Sequence, residues 1–86
     1  MTIKGKVLIS NQEDKELMSR EGVRRNSKVA HVVVHAVIDG VPEICNVRCY
    51  DFGFDLPKVG ADWTTPRVRK YESDGNVAEV TVCPSF

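Results

Sequence analysis

The sequence contains no long hydrophobic run, and this absence excludes several classes of protein. No apolar stretch approaches the roughly 20 residues that a membrane-spanning helix needs. Residues 1–9 place lysines among aliphatic side chains, unlike the core of a signal peptide. We therefore expect a cytoplasmic protein that contacts no membrane. With 86 residues the chain is long enough for one modest core and too short for two, so we expect a single domain over residues 1–86.

Cysteine is scarce, and its spacing suits neither a disulfide framework nor a zinc site. The three cysteines, Cys45, Cys49 and Cys83, include no C-x-x-C motif. If Cys45 and Cys49 share a strand, they point the same way about 13 Å apart, which is beyond the reach of a disulfide. Free, buried thiols are the interpretation we favour.

The sequence also lacks the constellations that catalysis requires. His31 and His35 would share one face of a strand, but about 13 Å apart they are too distant to bind one metal ion. A Cys–His pair across a hairpin is conceivable, yet no orienting third residue, oxyanion site or Gly-rich phosphate loop accompanies it. We therefore expect no enzymatic activity, no metal and no cofactor.

β-Branched residues, by contrast, are abundant and follow strand-like patterns. Residues 28–38, KVAHVVVHAVI, are apolar on both faces, which is typical of a central buried strand. The dipeptide Asp39-Gly40 follows at once and predicts a tight hairpin whose return strand covers residues 43–50. Three more strands are expected over residues 3–9, 66–72 and 77–83, the last two flanking the turn sequence SDGN.

Two segments complete the predicted fold. Residues 51–60 contain glycines and a proline and predict a loop, whereas residues 12–18 suit a short helix or an extended strand equally well. About five strands joined by antiparallel hairpins predict an all-β protein, either a small OB-like barrel or a small sandwich. The barrel is favoured because closure protects strand edges.

Charge of neither sign is in excess, since 12 basic residues balance 12 acidic ones, but the positive charge is unevenly distributed. Residues 19–28 carry four cations and a single acid, Glu21. These four cations are Arg20, Arg24, Arg25 and Lys28. A second positive segment consists of Arg67, Arg69 and Lys70. Because charges are screened beyond about 8 Å at physiological salt, such segments act locally even in a neutral chain.

Residues 19–28 form the expected tip of a projecting hairpin, with Gly22 and Asn26 supplying turn conformations. Such a tip is either an ordinary solvated turn or a wing that binds a polyanion. We favour the second interpretation because tips seldom concentrate four cations against one acid, and cations on a projecting ribbon can follow a polyanion with little loss of solvation.

The aromatic residues alternate with other side chains in two places. Tyr50, Phe52 and Phe54 would share a face, where they either stack on unpaired bases or close the core, and we favour the core. Arg67, Arg69 and Tyr71 would share the face opposite Val68. Rings interleaved with arginines suit single-stranded nucleic acid, whose bases stack and whose phosphates need cations. Pairing of Arg69 with Glu79 across the hairpin is the alternative.

The stretch SREGVRRNSKVA resembles the DNA-binding wing of the small single-stranded-DNA-binding proteins of filamentous bacteriophages, which reads approximately T-R-S-G-V-S-R-Q-G-K. The matching positions are Arg20, Gly22, Val23, Arg25 and Lys28. The chain length and the IKGKV start are also similar. The resemblance implies a five-stranded OB-like barrel that forms homodimers and coats replicating phage DNA cooperatively, in the host cytoplasm if a phage encodes this chain.

This sequence departs from the family pattern at several positions. The tyrosine that follows the wing lysine in the family is Ala30 here. The C-terminal strand, cationic in the family, is VAEVTV and contains Glu79, and the turn SDGN has no aromatic residue. Arg48 stands near the position of a family lysine on the central return strand. Because Ala30 replaces the family tyrosine, one stacking ring of the family is missing from this chain.

The sequence thus predicts a homodimeric protein that binds single-stranded DNA, or RNA, largely independently of sequence. The phosphate-binding candidates are Arg20, Arg24, Arg25, Lys28, Arg48, Arg67 and Arg69, and the candidate stacking rings are Tyr50, Trp63 and Tyr71. The alternative is a small phage-type module or inhibitor that binds a host protein through its β surface. The neutral net charge and the missing wing tyrosine favour that alternative.

Overall fold

In a computed structural model of the chain, residues 1–18, 22, 24–50 and 52–82 are described, and of residues 14–18 and 24–27 the backbone alone. Six strands form one mixed sheet in the order β4-β1-β2-β3-β6-β5. The strands are β1 (Lys4–Met18), β2 (Arg24–Ile38), β3 (Val41–Tyr50), β4 (Asp62–Thr64), β5 (Val68–Ser73) and β6 (Val77–Val82). The described residues contain no helix, and the expected all-β class is confirmed.

The sheet differs from the expected five-stranded antiparallel barrel in three respects. It has a sixth strand, the short β4 at one edge, which sequence patterning did not indicate. The strands β3 and β6 pair in parallel, so the sheet is not built from antiparallel hairpins alone. Over the ranges described, the edge strands β4 and β5 do not pair with each other, and a closed barrel is therefore not confirmed. The described ranges contain no helix that is long and apolar enough to span a membrane.

The two longest strands, β1 and β2, form an antiparallel hairpin that extends beyond the sheet. Their pairing runs from Gly5 opposite Ala36 to Met18 opposite Arg24. Residues 12–18 are therefore strand, because pairing supplies them with backbone hydrogen bonds that a seven-residue helix would barely hold. Since β3 pairs with β2 only from Val29 onward, residues 14–18 and 24–28 have no third strand beside them in the described part of the chain. This segment is termed the ribbon here.

The predicted hairpins at the other turns are confirmed. Asp39 and Gly40 have φ values of 51° and 80°, the two positive values that a type I′ turn requires. In the turn between β5 and β6, the Asp74 carboxylate accepts hydrogen bonds from the backbone N–H groups of Asn76 and Val77 at 3.2 and 3.0 Å. These bonds lower the pKa of Asp74.

The hydrophobic core lies on one face of the sheet, with β2 at its centre. Val32 and Val34 of β2 are fully buried on this face. The other buried members of the cluster are Ile3, Val7, Ala30, Ala36, Cys45, Val47, Cys49, Ala78, Val80 and Val82. On the opposite face Val29 and Val33 are only 5% and 7% exposed, which confirms that β2 is buried on both faces near its middle.

Aromatic residues and the N-terminal segment cover the core. Phe52 and Phe54 pack against it with their ring centroids 5.3 Å apart, so our preference for the core is confirmed for these two rings. It is wrong for Tyr50, which lies on the opposite face of the sheet from the buried Cys49 and is 37% exposed. The backbone N–H of Thr65 donates to the carbonyl of Ile3 at 2.8 Å, and that of Val68 donates to Met1 at the same distance. Residues 1–3 therefore bind the short connection between β4 and β5, the two edges of the sheet.

Candidate functional site

The face of the sheet opposite the core carries a row of polar side chains at matching positions on five strands. The register places Asn11 opposite His31, His31 opposite Arg48, Arg48 opposite Thr81, and Thr81 opposite Lys70. Neighbouring strands lie about 4.8 Å apart, so these five residues, here the cross-strand row, span roughly 19 Å. The row contains two permanent cations, Arg48 and Lys70.

The next position toward the ribbon holds an exposed aromatic ring. Tyr50 lies opposite Val29 at the end of β3 and is 37% exposed. Because Arg48 and Tyr50 are two residues apart on one strand, their side chains lie on the same face. Of the three predicted stacking rings, Tyr50 is the one that this face presents to solvent.

The sheet register also locates the two positive segments relative to each other. The ribbon extends from the end of the sheet at which Val29 of β2 pairs with Tyr50, the last residue of β3. At this same end Cys49 lies opposite Val82, and Val82 lies opposite Val68, the first residue of β5. The exposed Arg67 and Arg69 therefore lie at the end of the sheet from which the ribbon extends. Segments about forty residues apart in sequence thus occupy one end of the molecule.

A chain of hydrogen bonds links three strands on this face. Arg48 donates to the Oε2 atom of Glu79 at 2.5 Å, and both side chains are about half exposed. The Nδ2 atom of Asn46 donates to the other carboxylate oxygen of Glu79 at 3.4 Å. The Oδ1 atom of Asn46 lies 3.2 Å from Nε2 of His31. Exposed ion pairs stabilise a protein by about 0.2–1 kcal/mol, so Arg48 can exchange Glu79 for a phosphate at low cost.

A depression lies at the base of the ribbon and includes two residues of the cross-strand row, Asn11 and His31. Its volume is about 330 Å³, and its lining residues are Asn11, Gln12, Glu13, Val29 and His31. Val29 is almost fully buried and His31 partly so, whereas the β1 residues are exposed. The depression therefore combines an apolar side chain with amide, imidazole and carboxylate groups.

The charge of the ribbon is more balanced than its tip alone indicates. The register places the backbone of Lys28 opposite Asp14 and that of Asn26 opposite Glu16. Over residues 14–28 the cations are Lys15, Arg20, Arg24, Arg25 and Lys28, and the acids are Asp14, Glu16 and Glu21. Five cations against three acids leave a net charge of +2, compared with +3 for residues 19–28. Lys28 is exposed, the side chains of Arg24 and Arg25 are not described, and Arg20 lies outside the described residues.

The expectation that Arg67, Arg69 and Tyr71 share a face is wrong for Tyr71. The pairing of β5 with β6 shifts between Val68 and Lys70, and this irregularity breaks the strict alternation. Val68 and Tyr71 consequently both pack against the core. The Tyr71 hydroxyl donates to the buried carboxylate of Glu43, a bond that, with burial, raises the pKa of Tyr71.

Two further sequence expectations are corrected or extended. Glu79 pairs with Arg48 and not with Arg69. Trp63, on β4, packs against the core with its ring centroid 6.1 Å from that of Phe54. Lys70 was not among the predicted site residues. A period of two, applied without the irregularity, assigns it to the wrong face.

Cysteine and histidine occupy the positions that their spacing predicts. Cys45 and Cys49 are free and buried, as expected, and Cys83 lies outside the described residues. Burial, with the nearby charge of Glu43, raises the pKa of Cys45, and burial raises that of Cys49 to about 11. His31 and His35 point to the same face of β2. No group of three or more histidine, cysteine, aspartate or glutamate side chains able to hold a metal ion occurs in the portion of the chain described.

Comparisons of this chain with protein-family models, with curated protein sequences and with solved structures found no match.

Proposed function

We propose that this protein binds single-stranded nucleic acid, DNA in particular, along the cross-strand row and the ribbon. The observation that carries the proposal is the register. It brings the exposed Lys28 at the base of the ribbon and the exposed Arg67 and Arg69 at the start of β5 to one end of the sheet, and the exposed ring of Tyr50 lies on a strand between them. Cations on both sides of an accessible ring are what an unpaired strand requires.

The cations differ in how directly their side chains can contact a phosphate. Arg67, Arg69 and Lys28 are exposed and reach phosphates directly. Arg48 reaches a phosphate by giving up its exposed ion pair with Glu79. Lys70 likewise holds Glu72 through a surface pair of 3.3 Å, and such pairs contribute at most about 1 kcal/mol. Contacts of this kind go to phosphates, so the binding is largely independent of sequence.

The same proposal assigns the sheet to the OB-like class. A connection of only three residues joins the edge strands β4 and β5, and it hydrogen-bonds to residues 1–3. The sheet must therefore curve around its core until its two edges come near each other. A curved β surface of this kind is common among proteins that bind single strands.

We also propose that the protein forms a homodimer, with a role in coating replicating phage DNA in the cytoplasm of the host. The support for self-association is the outer edge of β1. Beyond Val7 this edge has no strand neighbour in the described residues, and it exposes Leu8 and Ile9 by 42% and 46%. A two-fold contact that pairs β1 with its copy adds backbone hydrogen bonds along residues 8–12 and covers both side chains.

A second candidate function uses the same edge. An edge strand can accept an extended segment of another protein, as in modules that recognise partners by adding a strand. The neutral chain favours this candidate, because a net charge of zero overall and of only +2 over residues 14–28 gives a polyanion little long-range attraction. In that case the chain inhibits or binds a host protein and has no nucleic-acid role.

Fluorescence anisotropy with labelled 16-nucleotide probes separates the two functions. The probes are oligothymidylate, oligouridylate and a DNA duplex, each at low and high salt. We expect the single strands to bind more tightly than the duplex at 50 mM salt and to weaken steeply at 200 mM. The two single strands differ in both the 2′-hydroxyl and the C5-methyl group of the base, so together they establish whether the protein binds RNA as well as DNA. Absence of binding at 50 mM salt contradicts the nucleic-acid function and leaves the protein-binding candidate.

A further inference from the structure

We propose that the depression at the foot of the ribbon holds one unpaired nucleobase of the bound strand, an inference that rests on the proposed function. The volume of about 330 Å³ is at the lower end of the range for small-ligand sites, roughly 300–1,000 Å³. Val29, which is 5% exposed, contributes a small apolar patch to the lining of the depression. Asn11, Gln12, Glu13 and His31 supply hydrogen-bonding groups around it.

The hydrogen-bond network determines which nitrogen of His31 can accept a hydrogen bond. The carboxylate of Glu79 only accepts hydrogen bonds, so Nδ2 of Asn46 must face it, and Oδ1 of Asn46 must face His31. An amide oxygen only accepts, and His31 therefore donates through Nε2–H. In the neutral imidazole Nδ1 is then the acceptor. A nucleobase has N–H groups on its pairing edge that an acceptor of this kind can bind.

Two residues next to the depression can contact the phosphate that follows the bound base and the base after it. Arg48 lies opposite His31 on the adjoining strand, and Tyr50 lies opposite Val29. A base in the depression thus has a guanidinium one strand away for its phosphate and a phenol ring one strand away for the next base.

The test compares a strand that has bases with one that has none. Anisotropy titrations at one low salt concentration use 16-nucleotide oligothymidylate and an abasic oligodeoxyribose phosphate of the same length. The variants are His31→Ala and Asn11→Ala, with His35→Ala as the matched control. His35 is exposed on the same strand and the same face, but it lies outside the depression. Thermal unfolding of each variant confirms that it is folded.

Wild type is expected to bind oligothymidylate more tightly than the abasic strand. His31→Ala is expected to weaken binding of oligothymidylate by about five- to tenfold, the effect of losing one base contact, and to leave binding of the abasic strand unchanged. Asn11→Ala, at an exposed position of an edge strand, is expected to act in the same direction without affecting folding. His35→Ala is expected to change neither affinity.

Two results overturn different proposals. If wild type binds both strands equally, or if His31→Ala behaves like His35→Ala, the depression holds no base and the phosphate-binding function still stands. If wild type binds neither strand, the proposed function itself is wrong and this inference fails with it.

Discussion

Arg48 and Glu79 form an ion pair across the parallel strands β3 and β6, on the face of the sheet that carries the proposed site. The Glu79 carboxylate pairs with the guanidinium of Arg48, and it also places a negative charge beside the cross-strand row. Both side chains are about half exposed, so the pair contributes little to stability. Its principal effect is expected on ligand binding.

Replacement of Glu79 by glutamine is expected to strengthen binding of oligothymidylate by about three- to tenfold at 50 mM salt. The change frees Arg48 for phosphate and removes one like charge from the path of the strand, and one exposed charge interaction corresponds to about 1 kcal/mol. Anisotropy titration measures the affinity, and thermal unfolding is expected to give a nearly unchanged melting temperature.

The matched control for this variant is Asp39→Asn. It removes one negative charge at the opposite end of the β2–β3 pairing, and asparagine tolerates the φ of 51° that Asp39 adopts. If Asp39→Asn increases the affinity as much as Glu79→Gln does, the effect is one of net charge, and the local role assigned to Arg48 is wrong.

Most of the strand content was predictable from the sequence because local patterns determine it, although the short β4 was not expected and residues 12–18 were left open between helix and strand. The valine-rich segment became the central strand β2, and Asp39-Gly40 became a type I′ turn. The parallel pairing of β3 with β6 was not predictable in this way. Ile44 meets Val77 and Cys49 meets Val82 through contacts of long sequence separation, for which neither strand carries a local signal.

The site was partly predictable for a similar reason. The cationic segments are visible in the sequence, but only the register of three strand pairs places Arg67 at the same end of the sheet as the base of the ribbon. The irregularity before Lys70 reversed the expected faces of Lys70 and Tyr71. No residue type signals such an irregularity in advance, since Arg69 and its neighbours suit a regular strand equally well.

Replacement of Tyr71 by phenylalanine is expected to lower the free energy of unfolding by about 1–2 kcal/mol at pH 7. The phenol donates to Glu43, which is 6% exposed, and the variant leaves this carboxylate with one donor, Ser73. Urea unfolding measures the difference. Tyr50→Phe is the control, because the Tyr50 hydroxyl has no hydrogen-bond partner among the described residues. Equal effects of the two substitutions contradict a role for the Tyr71–Glu43 bond.

The same hydrogen bond predicts how this difference depends on pH. Its formation raises the pKa of Tyr71 above the ordinary value of 10.0. A group with a raised pKa in the folded state adds stability below its unfolded pKa and loses it as the pH rises through the folded value. Wild type and Tyr71→Phe should therefore converge in stability above about pH 10. A difference that stays constant up to pH 11 contradicts the assignment.

Replacement of Gly5 by alanine is expected to destabilise the protein by about 1–3 kcal/mol. A Cβ atom at this position would lie 2.6 Å from the backbone carbonyl oxygen of His35, so β1 and β2 must separate to admit it. Lys4→Ala, an exposed change on the same strand, is expected to stay within about 0.5 kcal/mol of wild type. Urea unfolding that shows Gly5→Ala to be equally mild contradicts the close approach of the two strands.

The salt dependence of oligothymidylate binding tests most directly whether the two positive segments hold one strand. Each phosphate contact contributes about −0.7 to the slope of log affinity against log salt for single strands. Arg24→Ala with Arg25→Ala, and separately Arg67→Ala with Arg69→Ala, are each expected to flatten the slope by about 1.4, and all four together by about 2.8. A wild-type slope near zero, or a slope that the Arg67 and Arg69 changes leave untouched, contradicts the proposed interface.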